Sequence, residues 1–308
     1  MCNFLAIDDF TNKELKTLLK LAIDLKKEYF SNGNKPILND KTLAMIFQKP
    51  SLRTRVSFEM AMHHLGGKAI YISPSEIELG KRESVADVAK VLDGYVDGIM
   101  ARVFQYQQLI ELAENTTIPV INGLSNYNHP CQALGDILTI MELKSRVEGL
   151  KLAFVGDGNN VATSLAKICA LMNINFTIAS PKGFELNKDI INHIKTISSD
   201  NQADFLQVSN PIEAVSEADI IYTDVWTSMG QEQEKESRRQ LFQNYQVNQM
   251  LVDKAKSNVI VMHDLPANRG EEITDEVADG SNSVIFHQAH NRMHSAKAIL
   301  YHLLANKQ

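Results

Sequence analysis

The feature that most restricts how this chain can fold is an alternation of short apolar runs with helix-length stretches, which occurs in two successive series. Runs at 41–47, 69–72, 98–103 and 118–122 have the length of buried strands, and helical stretches at 54–65, 84–95 and 105–115 separate them. Neighbouring parallel strands need a crossover of about a dozen residues, so the pattern predicts a parallel sheet covered by helices. A second series follows at 151–155, 175–179, 205–208, 219–223 and 258–262. Thr11-Asn-Lys-Glu14 fits a capping box for a first helix, with Leu15, Leu18, Leu19, Ala22 and Ile23 as its apolar stripe. Between the two series, 131–148 reads as a helix with Leu134, Ile137, Leu138 and Met141 on one face, and 290–304 reads as a final packed helix. The expected class is therefore α/β, with two doubly wound parallel-sheet domains joined by bridging helices. Residues 1–140 form one domain and 141–289 the other, with 290–308 packing back onto the first.

Composition narrows the functional classes. A chain of 308 residues, 44% of them hydrophobic, has enough apolar material for two cores. Lys and Arg number 31 against 37 Asp and Glu, so the net charge of −6 disfavours nucleic acid or an acidic membrane as a partner and confines any anion site to a local pocket. No apolar run has membrane-spanning length, and the start Met1-Cys-Asn-Phe-Leu-Ala lacks a signal-peptide pattern, which makes a cytoplasmic location the expectation. Cys2, Cys131 and Cys169 are too scattered for a zinc cluster or a disulfide framework. The run 231–239, rich in Glu, Gln and Arg, reads as a solvated helix face or a mobile loop.

Polar residues gather where expected strands end, which is where ligands bind in parallel α/β sheets. Ser51-Leu-Arg-Thr-Arg55 lies between a strand and a helix and offers hydroxyls, guanidiniums and the open N–H groups of a first turn, an arrangement suited to phosphate. Arg102 closes another strand. His129-Pro-Cys-Gln132 stands at the mouth of the bridging helix, with Asp136 further along it as a supporting carboxylate. The turn Gly156-Asp-Gly-Asn-Asn160 looks like a dinucleotide fingerprint but lacks the third glycine, and no acidic residue closes the next strand at Ile178-Ala-Ser-Pro181. A dinucleotide-dependent dehydrogenase is disfavoured on that ground, while Asn159 and Asn160 suit an amino-acid backbone. Asp224-Val-Trp-Thr-Ser-Met-Gly230 and His263-Asp-Leu-Pro266 each follow a strand, and Asn291-Arg-Met-His294 opens the expected last helix. Asp224 offers a carboxylate to an ammonium group, beside a tryptophan that a loop position would waste unless it packs in a cleft.

Taken together, S-x-R-T-R, H-P-x-Q, D-x-W-x-S-M-G, H-x-L-P and N-R-x-H occur in an order and spacing that resembles the aspartate/ornithine carbamoyltransferase superfamily, and the resemblance runs nearly end to end. It implies transfer of the carbamoyl group of carbamoyl phosphate to the δ-amine of L-ornithine, giving citrulline and phosphate in arginine biosynthesis, with no cofactor and no metal. It also implies an active site in the interdomain cleft and a homotrimer or a multiple of trimers. By that likeness Ser51, Leu52, Arg53 and Thr54 hold the phosphate, and Glu78, Arg102, His129, Gln132 and Arg292 complete the carbamoyl phosphate set; Glu78 and Lys81 reach toward a neighbouring subunit. Asn160, Asp224, Ser228, Met229, Asp264 and Leu265 form the ornithine set, and Arg102, His129, Thr54 and Asp264 are the catalytic candidates. Arg55 supports the loop.

One position departs from the pattern. Ornithine enzymes of this family usually read His-Cys-Leu-Pro, whereas this chain has Asp264 in place of the cysteine, and Asn268 replaces a usual aromatic or histidine. An ionised Asp264 would hold the δ-amine as ammonium or accept its proton. Two alternatives stay open on the sequence: transfer to another amine such as putrescine or an N-acylornithine, which would leave Asp224 and Ser228-Met229 unpaired, and a non-catalytic ligand-binding homologue.

Overall fold

In a computed structural model of the chain, residues 3–144, 146–227 and 232–305 are described; Ser228 and Met229 lie outside them. The chain divides into two compact units, Met1–Leu138 with His290–Gln308, and Thr139–Ala289.

The first unit runs α1 (Asn12–Asn32), β1 (Thr42–Phe47), α2 (Leu52–His64), β2 (Lys68–Ile72), α3 (Pro74–Ile77), α4 (Val85–Asp93), β3 (Gly98–Arg102), α5 (Tyr106–Glu114), β4 (Val120–Leu124) and into α6 (Pro130–Leu143). Its four strands are all parallel, in the order β2-β1-β3-β4. Every residue of β3 is buried, which explains why it reads as a continuous apolar run and not as an alternation. Ile46, Ile99, Leu109, Leu112 and Val120 belong to the cluster that seats α4 and α5 on the sheet. The first helix begins as its sequence predicts: the Thr11 hydroxyl accepts from Glu14 N–H at 3.3 Å, and the Glu14 carboxylate accepts from Thr11 N–H at 2.8 Å. Its buried stripe ends on Leu25, while Ile23 is half-buried.

The second unit contains the rest of α6, then β5 (Lys151–Val155), α7 (Asn160–Leu171), β6 (Asn175–Ala179), α8 (Lys188–Asn201), β7 (Phe205–Val208), α9 (Pro211–Val215), β8 (Ile220–Thr223), α10 (Lys235–Phe242), α11 (Gln249–Val252), β9 (Ile260–His263), α12 (Asp275–Ala278) and the start of α13 (Ile285–Leu300). Its parallel order is β7-β6-β5-β8-β9. Each sheet therefore reverses its winding once, between β1 and β3 in the first unit and between β5 and β8 in the second. Loops that leave neighbouring strands there diverge to opposite faces and open a crevice.

Two expectations need correction. The last helix starts at Ile285, five residues before the expected 290, so Asn291 and Arg292 lie inside it. Its early polar residues conceal the helical period because partners hold them: fully buried Gln288 donates to Tyr222 Oη at 3.1 Å and accepts from His263 N–H at 2.9 Å. The charged run after residue 231 is likewise no uniform solvated face. It builds a 3-10 turn (Glu232–Glu234) and α10, and Arg238 within it is buried.

Gly66 carries the chain from α2 into β2 with φ +84°, and a Cβ there would stand 2.5 Å from Pro36 Cβ. A side chain at this turn meets both left-handed strain and a clash with a rigid ring. We expect Gly66→Ala to lower the unfolding free energy by about 1–3 kcal/mol, read from the midpoint of chemical denaturation.

Candidate active site

In the first unit the polar residues collect at the reversal between β1 and β3. Phe47 and Arg102 are paired at the ends of those strands, so Arg102 stands beside the segment that enters α2. Ser51 caps α2, its hydroxyl accepting from Thr54 N–H at 3.3 Å, and this turn swings Thr54 inward to 1% exposure. The Thr54 hydroxyl then accepts from two guanidiniums, Arg102 Nη1 at 3.4 Å and Arg292 Nη2 at 3.2 Å. Arg292 also donates through Nη1 to Gln132 Oε1, and Gln132 donates to Asp136 Oδ1 at 2.8 Å. Gly135 permits this approach of α6 to α13, because a Cβ would lie 3.2 Å from Ser295 Oγ and 3.4 Å from Arg292 Cδ.

His129, 3% exposed, completes the group. Burial, followed by the positive charges of Arg292, Arg102 and Arg53, holds its imidazole well below the ordinary histidine range. Three arginines thus act on one ring, and the Gln132 amide links Arg292 to Asp136. Such an excess of buried positive charge suits a doubly charged anion, and neutral His129 offers a hydrogen bond with no further charge.

Not every residue expected in this set lies there. Leu52 is 72% exposed, so only its main chain, in the first turn of α2, is placed to meet a ligand. Arg55 points outward, stacked 3.9 Å over Tyr71 and 3.5 Å from Glu59. Glu78 ends α3 at φ +43° and lines a cavity of about 620 Å³ with Lys81, Gln48, Gln105 and Phe104. Ser51, Thr54, Arg102, His129 and Arg292 contribute nothing to its walls.

The second unit gathers charge of the opposite sign at its own reversal. Asp224, directly after β8, is 7% exposed and accepts from Asn159 Nδ2 at 2.7 Å. Asn159 is already committed: its Oδ1 caps α7 by accepting from Val161 and Ala162 N–H, both at 3.0 Å. It therefore orients Asp224 while capping the helix. Asn160, the first residue of α7, is half-buried, its Oδ1 3.1 Å from Val161 N. Gly158 is required sterically, since a Cβ would fall 2.5 Å from Leu186 N. Trp226 is no cleft residue; it is 3% exposed and stacks on Phe242 at 5.9 Å in the core.

His263 ends β9 beside Thr223, fully buried. Its Nδ1 accepts from Leu265 N–H at 2.9 Å and its Nε2 lies 3.1 Å from Glu272 Oε1, so the geometry puts the ring proton on Nε2, which donates to Glu272. Asp224, His263 and Asp264 each bring one polar atom within 4.8 Å of the others. With both ring nitrogens engaged, the result is two carboxylates converging beside an imidazole already held by its own partners, a setting for a cation. Leu265 turns its side chain toward the core, half-buried, and spends its N–H on His263. Sequence reasoning missed Asn159 as the partner of Asp224, although an Asn just before a helical run is a recognised capping signal. Glu272, in a short polar stretch, gave no comparable sign.

Residues 2–142 match the family model described as aspartate/ornithine carbamoyltransferase, carbamoyl-P binding domain, and residues 148–303 match the corresponding Asp/Orn binding domain. The chain is 49% identical over 298 residues to the ornithine carbamoyltransferase of Thermococcus kodakarensis, spanning 96% of this chain and 94% of that protein. It is 48% identical over 300 residues to the anabolic ornithine carbamoyltransferase of Pyrococcus furiosus, spanning 97% and 95%. A solved structure of the Pyrococcus furiosus enzyme superposes with a TM-score of 0.97 at 46% identity, covering 99% of this chain and 98% of that one.

The depressed His129 fixes the sign of a pH effect. Above about pH 6.5 the imidazole is neutral in the folded and unfolded chain alike; below it the unfolded chain takes up a proton that the buried site resists, so stability falls as pH falls. We expect this group to remove up to about 1.4 kcal/mol per pH unit below that point. Denaturation of the parent and His129→Gln between pH 5 and 7 checks it, since the variant loses that part of the slope.

Proposed function

The chain belongs to the aspartate/ornithine carbamoyltransferase family, and from that premise we propose how its residues transfer the carbamoyl group of carbamoyl phosphate to the δ-amine of L-ornithine, giving L-citrulline and phosphate. The observation that carries the reading is the meeting of Arg102 and Arg292 on Thr54 at the start of α2. The phosphate dianion takes the open N–H groups of that helix, with Ser51, Arg53 and Thr54 around it. Arg102, His129 and Gln132 face the carbamoyl end, and Arg292 bridges the two.

Attack by the neutral δ-amine forms a C–N bond and moves an electron pair onto the former carbonyl oxygen. Thr54, Arg102 and His129 stabilise that charge as hydrogen-bond donors already in position. Collapse of the tetrahedral species breaks the bond to the phosphate oxygen, which keeps the electron pair and takes the proton shed by the newly bonded nitrogen, so that phosphate departs as the dianion and citrulline is left neutral at that nitrogen. In the second unit Asp224 neutralises the α-ammonium, with Asn160, Ser228, Met229 and the Leu265 segment completing the amino-acid site. Asp264 meets the δ-nitrogen. Its carboxylate favours the ammonium form there, which aids binding and delays attack until the proton leaves. A homotrimer in the cytoplasm, and operation in the biosynthetic direction named for the Pyrococcus furiosus relative, complete the proposal; light scattering of the purified protein reads the assembly.

Citrulline formation, with putrescine, N-acetylornithine and aspartate as competing acceptors, tests the substrate. Only ornithine is expected to react at a substantial rate. Arg53→Ala and His129→Ala should each lower kcat/KM by about 10²-fold or more, as loss of a charge-stabilising donor does elsewhere. Asp264→Cys should move the alkaline rise of kcat/KM toward lower pH, because the amine loses its stabilising anion. A profile identical to the parent's would remove Asp264 from both binding and chemistry.

A further inference from the structure

Arg238 lies in the stretch that the sequence marks as a charged surface, yet it is 6% exposed. Its Nη1 donates to Asp157 Oδ2 at 2.7 Å and to the Trp226 carbonyl at 3.0 Å, and its Nε donates to Glu234 Oε2 at 2.9 Å. The guanidinium also stands 4.7 Å over the Phe184 ring. Asp157 belongs to the turn after β5 and Trp226 to the segment after β8, so one side chain ties together the two loops at which the sheet reverses. Those loops also carry Asn159 and Asp224, whose 2.7 Å hydrogen bond is the second tie between them.

Charge gives the tie a further consequence. Asp157 is half-buried and close enough to Asp224 to feel its charge, and desolvation pushes the Asp157 carboxyl up against the downward pull of Arg238. Arg238 spends its charge on Asp157 and Glu234, which leaves Asp224 as the anion available to a ligand. A lysine cannot do the same, because an ammonium lacks the planar fork that meets a carboxylate and a carbonyl on one side and a second carboxylate on the other.

We propose that Arg238 is a positioning residue for the amino-acid substrate, clamping the β5 and β8 loops so that Asp224 is held at the angle and charge at which it receives the substrate's α-ammonium. This rests on the assignment of Asp224 to ornithine. The group touches no reacting atom, so its effect belongs in ornithine affinity and not in the handling of carbamoyl phosphate.

Steady-state kinetics of the intact protein separate the two. Arg238→Met should raise KM for ornithine by about tenfold or more while leaving KM for carbamoyl phosphate within about twofold, and Arg238→Lys should fall between that variant and the parent. The only tryptophan, Trp226, gives a second reading, since ornithine should change its emission in the parent at lower concentration than in Arg238→Met. A folded Arg238→Met with the parent's KM for ornithine overturns the proposal, as does an equal rise in both KM values. Should that variant show no cooperative thermal transition, Asp157→Asn decides. It keeps the bonds to Trp226 and Glu234 and should raise KM for ornithine by about threefold, whereas an unchanged value overturns the proposal. A parent protein that forms no citrulline would instead remove the reading of Asp224 and leave the clamp without a substrate.

Discussion

The first unit is organised around one unusual interaction, two buried guanidiniums donating to the same threonine hydroxyl. Arg102 and Arg292 are 6% and 4% exposed; the acceptor they share, Thr54, is neutral, and so is Gln132, which accepts from Arg292. Burying like charges side by side is costly, and an anion placed among them offsets that cost. The surrounding features serve this gathering. The Ser51 cap turns Thr54 inward, the end of β3 delivers Arg102, Gly135 lets α13 close on α6, and Asp136 steadies Gln132 by accepting its amide hydrogen bond. Burial, and after it the nearby positive charge, keeps His129 neutral, so the site has a donor that adds nothing to the repulsion.

The second unit repeats the topology with the sign inverted. Asp224 and Asp264 approach each other at the end of a sheet that winds the same way, and the polar groups around them are spent on holding position: Asn159 on Asp224, Glu272 on His263, Arg238 on Asp157. Donor and acceptor substrates carry opposite charges, and each unit presents the complementary one. The reversal point is where side chains from two diverging loops meet without blocking one another, which accounts for both sites occupying the same relative place in their sheets.

Much of this was legible in the sequence because it rests on local rules. Strands buried on both faces wrote themselves as apolar runs, as in β3 and β5, and the caps at Thr11 and Ser51 stood where their hydroxyls precede a helical run. What escaped depends on distant partners. Arg238 resembles its exposed neighbours until the fold brings Asp157 to it from 81 positions earlier. Gln288 looks like surface until Tyr222 and the His263 backbone claim it, and for that reason the start of α13 was missed. The tryptophan beside Asp224 suggested a ligand wall, but Phe242 from α10 covers it. Leu52 and Glu78 show the opposite limit: they follow a family pattern by position, while an outward rotamer and an exposed turn direct their side chains elsewhere.

Asp264 shows how a departure from pattern acquires physical meaning only through its neighbours. A carboxylate beside an imidazole would ordinarily be expected to take a proton from it or share one. Here Nδ1 accepts from the Leu265 N–H and Nε2–H donates to Glu272, so the ring directs no N–H at Asp264 despite their 3.5 Å approach. The Asp264 and Asp224 carboxylates converge within 4.8 Å, so a cationic ligand suits the place. In the proposed site ornithine brings two ammonium groups to them. The same attraction opposes chemistry, since each unit by which the δ-ammonium pKa rises adds about 1.4 kcal/mol to the cost of producing the reactive amine. In the proposed site an aspartate at this position therefore exchanges rate near neutral pH for affinity.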